Sequence, residues 1–597
     1  MKKDTISRRQ FLKGAAASMA GAALMGSIIP VRAEGEAKTL PSGKASYELY
    51  QTELLIIGTG SGATWAAQRA IERGKKIMMV DKGPFRHSGA SAMSWDALML
   101  WWDYAGYRHD GWMLVNGELS AKAYNYLGAE GFDPYVESIN HGQTLVHRDE
   151  TGAVKMSNGM PKTTVSSFYR REMDELNESH RVEIMDQTMI TDLLVVGGRC
   201  LGAIGLHMPT GTMRVIRADA TIIAAGGGTQ IHGWFSVGYR GINSSDNTGD
   251  VDMAAFRKGL TIGEAEFAQY DFNSIIFKDL AFTFGCGIGA DAGELELLYD
   301  ANHERIFSDE EIESGVINGN LGMCQRIARA VFEEGRGTVN DGVYVTYTED
   351  SYKTVRYPIM RNVAFYQQNG FDPIGNYTEV AAEMYEHGGT TVIDENMMTE
   401  LEGLFNVRGA GACGENGGPH CMHNRLYGHY TGSCAADYLD KAEPLPAGAL
   451  DLSSVEAEFE RLTELRTRKV ENGLRPYEIR RKIQAAGYRG FTIYRSTQMM
   501  EEAIAELERI RKEDMPRQML ADDSTTFNVD WKTAIENINL LDLAEVSIRA
   551  SLLREETRGA YLRPEFPEKD DVNWNCMLAC HLEDGKMVFE KRPYPAL

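Results

Sequence analysis

The sequence predicts an α/β chain, with a Rossmann-like βαβ unit near its start, mixed α and β structure through its middle and helices toward its end. Three observations carry this. The stretch "ELLIIGTGSGATWAAQRAIERGKKIMMVDKG" runs apolar strand, glycine turn, helix, apolar strand. From Val182 to Leu206 short β-type runs alternate with glycine turns and lead into "ATIIAAGGGTQ", a buried strand closed by Gly226–Gly228. Beyond about residue 449, "SVEAEFERLTELRTRKV" and "STQMMEEAIAELERIRK" place apolar residues three and four apart, which is helical spacing.

Each part of the βαβ unit has a physical job. Leu54–Ile57 end at Gly58, Gly58-x-Gly60-x-x-Ala63 opens the helix, and Ile77–Val80 end at Asp81, 23 residues after Gly58. Gly58 makes the tight turn, and Gly60 lets the backbone approach a pyrophosphate at the helix N-terminus. Ala63 stands in the third glycine position, and Asp81 is placed to hold a ribose hydroxyl. A lone glycine motif is weak evidence; strand, helix, strand and acid together are strong. Further on, "NTGDVDMAAFRKG" reads as a loop opening a helix near Gly249, and "GLFNVRGAGACG" as a short strand with a glycine-rich exit.

At 597 residues the chain is long enough for two to four domains. A net charge of -23 argues against nucleic acid as a partner. The N-terminus carries Arg8-Arg9 followed by Phe11-Leu12-Lys13, a mild apolar run from Gly14 to Ile29, and Val31-Arg32-Ala33. The run is short and Gly/Ala-rich for a membrane span, so residues 1–33 look like a twin-arginine export signal, and a periplasmic or extracytoplasmic location is expected. Removing them takes away six Lys/Arg and one Asp, moving the charge to about -28. The eight cysteines form no disulfide framework, and no haem or iron–sulfur spacing is present, so electrons must come from another protein.

The stretch "PHCMHNRLYGHYTGS", Pro419–Ser433, is open to two readings. His420, Cys421, His423 and His429 suggest a soft-metal site, although their spacing matches no clean metal pattern. Alternatively it is a loop holding substrate and cofactor, with Arg425 as its working group.

On the fingerprint at Gly58–Ala63, "AAGGG" at 224–228, "NTGD" at 247–250, "EEGRG" at 333–337, "NRL" at 424–426, "REETRG" and "DDVNW", the chain resembles the flavoprotein subunits of succinate dehydrogenase and fumarate reductase. That group includes L-aspartate oxidase and adenylylsulfate reductase, and "RHSGASAM" and the tail look most like the latter. The resemblance covers most of the chain from about residue 50. It implies a signal over 1–33, a linker over 34–49, and an FAD-binding domain in two segments, 50–262 and 381–448. An α+β capping domain is inserted at 263–380, a helical domain follows over 449–560, and a tail spans 561–597.

The resemblance also implies FAD, held non-covalently since Ser88 falls where the family has its flavin-linking histidine. Contacts are expected from Gly58, Gly60, Gly62, Ala63, Asp81 and Lys82, from Ser88, Gly89 and Ala90, from Ala225, Gly226, Gly227 and Asp250, and from Gly432 and Ser433. Arg326, nine residues before Gly335, matches the family's proton-donating arginine; Arg425 in "NRL" matches its substrate clamp, where a guanidinium fork suits a carboxylate. The family's "EFVQFHPT" appears as "EFAQYDFN" and its "HYTMGG" as "MYEHGG", which replaces two carboxylate-binding groups. Asp271 and His387 then become substrate contacts, joined by His429. Trp95, Trp101, Trp102 and Trp112 either pack or line a pocket for a planar substrate.

The expected activity is an exported FAD-dependent reductase. It takes electrons from a separate cytochrome c, iron–sulfur or quinol-linked protein and passes hydride to an activated C=C of a small organic acceptor. Two alternatives stay open: sulfur chemistry like that of adenylylsulfate reductase, and a flavoprotein that only carries electrons.

Overall fold

A computed structural model of the chain describes residues 35–84, 182–232, 244–274, 295–314, 319–349, 370–411, 421–443 and 450–593, with short pieces between them. The twin-arginine segment, His87, Ala90, Trp95, Trp102, Trp112 and His420 lie outside the described residues, as do the side chains of Trp101, Asp271, His423 and Arg425.

The largest sheet is the frame for the site. Strands Val182–Met185, Ile77–Val80, Ser46–Ile57 and Thr212–Ile223 run parallel in that spatial order, and Leu404–Asn406 extends the parallel set against the end of Thr212–Ile223. The first half of Thr212–Ile223 instead pairs antiparallel with Arg199–His207, which pairs with Thr188–Val196. The Ser46–Ile57 strand shows its surroundings in its burial: its first half alternates, while Leu54–Ile57 are continuously buried. That is the signature of a strand leaving a one-sided edge and entering a parallel sheet covered on both faces. One face is covered by helix Ser61–Glu72, through Ala63, Ala66, Ala67 and Ala70. Helix Asp250–Arg257 contributes Val251 and Ala255 to a second core on the sheet.

A second sheet is antiparallel and joins Ala268–Ser274 to Thr378–His387, Gly342–Val345 and Leu298–Tyr299. The domain boundary expected at residue 380 falls inside one of its strands: Thr378–His387 runs on without a break and delivers His387 to the large sheet's neighbourhood. The tail is also more structured than its charged, Pro-containing sequence suggests. Met577–Glu583 and Lys586–Arg592 form a hairpin whose first strand pairs with Ile262–Gly263.

Four helices, Leu452–Thr467, Pro476–Gly490, Thr497–Arg509 and Val529–Leu553, make the helical region. Val529–Leu553 is buried on nearly every side, so its sequence carries no one-sided apolar stripe. Its polar residues face other units. Asp542 accepts from Arg257, Asn539 reaches Arg257 and Asp250, and Glu536 pairs with Lys82 at 2.9 Å and Arg480 at 2.9 Å.

The motifs near the end of the chain are architecture. Arg554 of "REETRG" is fully buried and donates to Glu266 of "EFAQYDFN" and to Glu556 at 2.8 Å each, and to the carbonyls of Trp574 and Cys576. Three separated segments are thereby pinned at one point. A charge this deep survives only because its donors are shared among acceptors. Beside it, Arg495 lies between the rings of Phe491 and Tyr561, 3.9 and 4.5 Å from their centroids, and donates to Tyr270 Oη at 2.9 Å.

Candidate functional site

The parallel strands all end on one side, and the cavity opens there. Its wall is made by Ile57–Gly62, Val80–Lys82, Ala224–Gly227, and Val407 with Arg408, the residues at or just beyond the C-terminal ends of four strands. This is where open α/β sheets bind ligands. Counted with the open space at its mouth, the cavity spans about 1140 Å³.

Glycine makes the wall thin. Gly58 has φ +116, and a Cβ there would meet the Ala224 carbonyl oxygen at 2.2 Å. A Cβ on Gly227 would come 2.6 Å from the Arg408 guanidinium. Behind Gly60, helix Ser61–Glu72 points its N-terminus at the cavity with no side-chain cap. The backbone N–H groups of its first turn and the positive end of the helix dipole face that space, which is the chemistry of a phosphate site.

Asp81 lines the cavity, but its carboxylate is engaged. One oxygen accepts from Thr59 N at 2.9 Å and Thr59 Oγ1 at 2.7 Å; the other accepts from Gly83 N at 2.8 Å and from Ser88 Oγ. Burial raises its pKa, against these four hydrogen bonds. Asp81 thus ties the glycine turn to Gly83 and Ser88.

Lys82 and Asp250 also line the cavity and are paired with each other at 2.7 Å. Lys82 donates as well to the Asp246 carbonyl at 2.6 Å, Thr248 Oγ1 at 3.0 Å and Glu536 at 2.9 Å. Burial opposes its charge, but Asp250, Glu536 and Asp246 outweigh burial and hold its pKa above that of an ordinary lysine. Both stand at the cavity as expected, and their charges also lock the sheet to the helical region.

His387 stands at the cavity with no solvent exposure, its Nε2 2.9 Å from Ser547 Oγ. Burial, then Arg408 and Arg495, lower its pKa to about 3, against the Gly388 peptide. Two further wall residues were not expected from the sequence. Arg408 donates from Nη2 to the His387 carbonyl at 2.9 Å, and the hydroxyl of buried Thr229 has no hydrogen-bond partner. Arg408 was legible as a cation directly following a strand that ends at the sheet's C-terminal side; nothing marked Thr229.

Four expectations are corrected. Arg326 is not among the cavity's residues. Its Nε donates to Glu311 at 2.8 Å, Nη1 to Glu334 at 3.0 Å and Nη2 to the Ile306 carbonyl at 3.0 Å, so its guanidinium staples helix Gly319–Ala328 to its surroundings. The "NRL" stretch is a helix, Cys421–Lys441, with Arg425 in its first turns. His429 is buried against Trp65 with ring centroids 4.4 Å apart, away from the cavity. Gly432 and Ser433 serve helix packing. A Cβ on Gly428 would lie 2.5 Å from the Gly62 carbonyl, one on Gly432 would lie 2.4 Å from the Ala66 carbonyl, and Ser433 Oγ accepts from Arg69 at 3.2 Å.

The site fits FAD on this structure's own features: a glycine-lined wall at the strand ends, an uncapped helix N-terminus, and two buried polar atoms without partners on residues that line the cavity, Thr229 Oγ1 and His387 Nδ1. Gly58, Gly60, Gly62, Ser88, Gly89 and Ala225–Gly227 would hold it. Ala63 is buried in the helix beneath.

Comparisons with known proteins agree. Residues 141–486 match the FAD binding domain family, 480–595 the fumarate reductase flavoprotein C-terminal family, and 5–25 the twin-arginine translocation signal. The chain is 27% identical over 426 residues to the fumarate reductase flavoprotein subunit of Mycobacterium tuberculosis, covering 67% of this chain and 70% of that protein. It is 25% identical over 548 residues to one chain of the fumarate reductase (CoM/CoB) of Methanothermobacter marburgensis, covering 87% and 95%. The fold is similar to that of E. coli quinol fumarate reductase at TM-score 0.77 and 20% identity, covering 92% and 97%. It is also similar to Archaeoglobus fulgidus adenylylsulfate reductase at TM-score 0.71 and 17% identity, covering 95% and 99%. The chain belongs to the FAD-binding flavoprotein family of fumarate reductase and succinate dehydrogenase, and is an FAD-dependent oxidoreductase with a twin-arginine signal.

Proposed function

We propose that this protein is an exported terminal reductase, working in the periplasm or another extracytoplasmic space, that reduces an activated C=C of a small organic acceptor. The observation that carries the reading is the cavity at the strand ends, lined by the N-terminus of the Ser61–Glu72 helix with its phosphate chemistry and by a neutral, buried His387. FAD supplies the hydride when bound. The chain's residues exclude water, fix the cofactor's phosphates on backbone N–H groups, and set the charge around the reacting end through Arg408.

Arg425 is proposed as the carboxylate clamp on the strength of its "NRL" match, and Asp271, on a capping strand, as an acceptor for a hydroxyl or amine of the substrate. Proton delivery is not assigned to Arg326, whose donors are committed to Glu311, Glu334 and Ile306. With no haem or iron–sulfur spacing in the sequence, a cytochrome c, iron–sulfur or quinol-linked protein would supply the electrons.

The test is anaerobic. The purified flavoprotein is reduced, and its flavin spectrum is followed while fumarate, urocanate, cinnamates, other enoates and adenylyl sulfate are added in turn. Reoxidation by an enoate is expected. Reoxidation by adenylyl sulfate alone would replace carbon chemistry with sulfur chemistry, and reoxidation by none would leave an electron carrier.

A further inference from the structure

His387 Nε2 and Ser547 Oγ are 2.9 Å apart, and both residues have no solvent exposure. The serine hydroxyl has one hydrogen, and Ser547 Oγ also lies 2.8 Å from the Leu543 carbonyl, one turn back in helix Val529–Leu553, which can only accept; both contacts are satisfied when the serine donates to Leu543. The contact with His387 therefore needs the imidazole as donor, through Nε2–H. A neutral imidazole carries one N–H, so Nδ1 is left with its lone pair. Nδ1 is buried and makes no hydrogen bond of good geometry although the ring lies beside the Gly388 peptide, and His387 is part of the cavity wall.

The surroundings keep this ring neutral and in place. Arg408 and Arg495 face it as cations, His232 lies near, and Phe491 packs edge-on at 5.4 Å between centroids. Two glycines clear the space around it. A Cβ on Gly228 would lie 3.5 Å from Nδ1, and one on Gly389 would lie 2.6 Å from Cε1. Leu543 Cδ2 occupies the rest of the Gly228 side.

We propose that Ser547 is a positioning residue: by accepting Nε2–H it holds His387, a residue of the cavity wall, in the neutral tautomer with a bare Nδ1, so that His387 meets bound flavin as a hydrogen-bond acceptor. An isoalloxazine offers matching donors, N3–H in either redox state and N5–H when reduced. The helical region thereby sets the chemistry of a site built on the sheet. This rests on FAD occupying the cavity, as proposed above.

Nitrogen-15 NMR of protein labelled at histidine tests it, with His387→Gln identifying the signal. Wild type is expected to show His387 with Nε2 protonated and Nδ1 bare. Ser547→Ala shifts the proton toward Nδ1, and Ser547→Thr, which keeps the hydroxyl, restores the wild-type pattern. In flavin-loaded protein the midpoint potential moves in Ser547→Ala and returns in Ser547→Thr. A wild-type Nδ1–H signal, or a tautomer unchanged in Ser547→Ala, overturns the proposal, and so does one potential shared by all three proteins. Protein that takes up no flavin still reports its tautomer, and that result sinks the cavity reading alone.

Discussion

Two pairs of glycines sit on either side of the same helix and do opposite things. Gly58 and Gly60 precede Ser61–Glu72 and thin the wall of a cavity. Gly428 and Gly432, one turn apart, lie against the carbonyls of Gly62 and Ala66 and let helix Cys421–Lys441 approach until backbone meets backbone. At Gly58 the missing Cβ lets the turn close on the Ala224 carbonyl at the edge of the cavity; at Gly428 and Gly432 it lets one helix close on another. A glycine motif therefore shows that something comes close, while the partner decides whether that something is a ligand.

The sharpest test of the contrast is Gly58→Val. The φ of +116 and the 2.2 Å approach to Ala224 make it the costliest change, about 3 kcal/mol or more, with flavin absorbance lost from whatever protein folds. Soluble Gly58→Val with full flavin content would deny this turn its role.

Next in size is the lock between sheet and helical region. Glu536→Ala takes one of two carboxylate partners from Lys82 and the carboxylate from Arg480 in a buried setting and is expected to cost about 3 kcal/mol. The pH dependence has a definite sign. Burial favours the protonated acid, but Lys82, Lys532 and Arg480 outweigh it and bring the Glu536 pKa down from 4.5 to about 2. A carboxylate depressed on folding stabilises above its unfolded pKa, and this stability is lost as pH falls from about 4.5 toward 2. Acid unfolding curves of wild type and Glu536→Gln should converge over that window, and parallel curves would count against the ion network.

Gly432→Leu should come third. It forces the two helices apart, costs about 1–3 kcal/mol and lowers the melting temperature, while the folded fraction keeps its flavin. Equal loss of flavin in Gly432→Leu and Gly58→Val would erase the distinction between the two pairs. The smallest effect is expected for Arg326→Ala, whose partners Glu311 and Glu334 are partly exposed: below about 1 kcal/mol of stability, with flavin and turnover retained. A folded, flavin-loaded Arg326→Ala protein with no turnover would return this arginine to the mechanism.

Whatever depends on neighbours along the chain could be read from the residues alone. The βαβ unit from Glu53 to Gly83 was legible because its strands, turn and helix each obey local rules of periodicity and backbone freedom. The amphipathic helices after residue 449 were legible for the same reason. Whatever depends on residues far apart in number had to wait for the packed fold. Pro419–Ser433 offered histidines, an arginine and glycines with no periodic signal, and the helix that runs from Cys421 is seated against the distant Trp65, Gly62 and Ala66. Arg326 matched a spacing, but a guanidinium's role follows from which acids reach it, and Glu311 and Glu334 did. His387 was named for its place beside two glycines; the proton it carries is set by Ser547, 160 residues later, across a fold that no local rule describes.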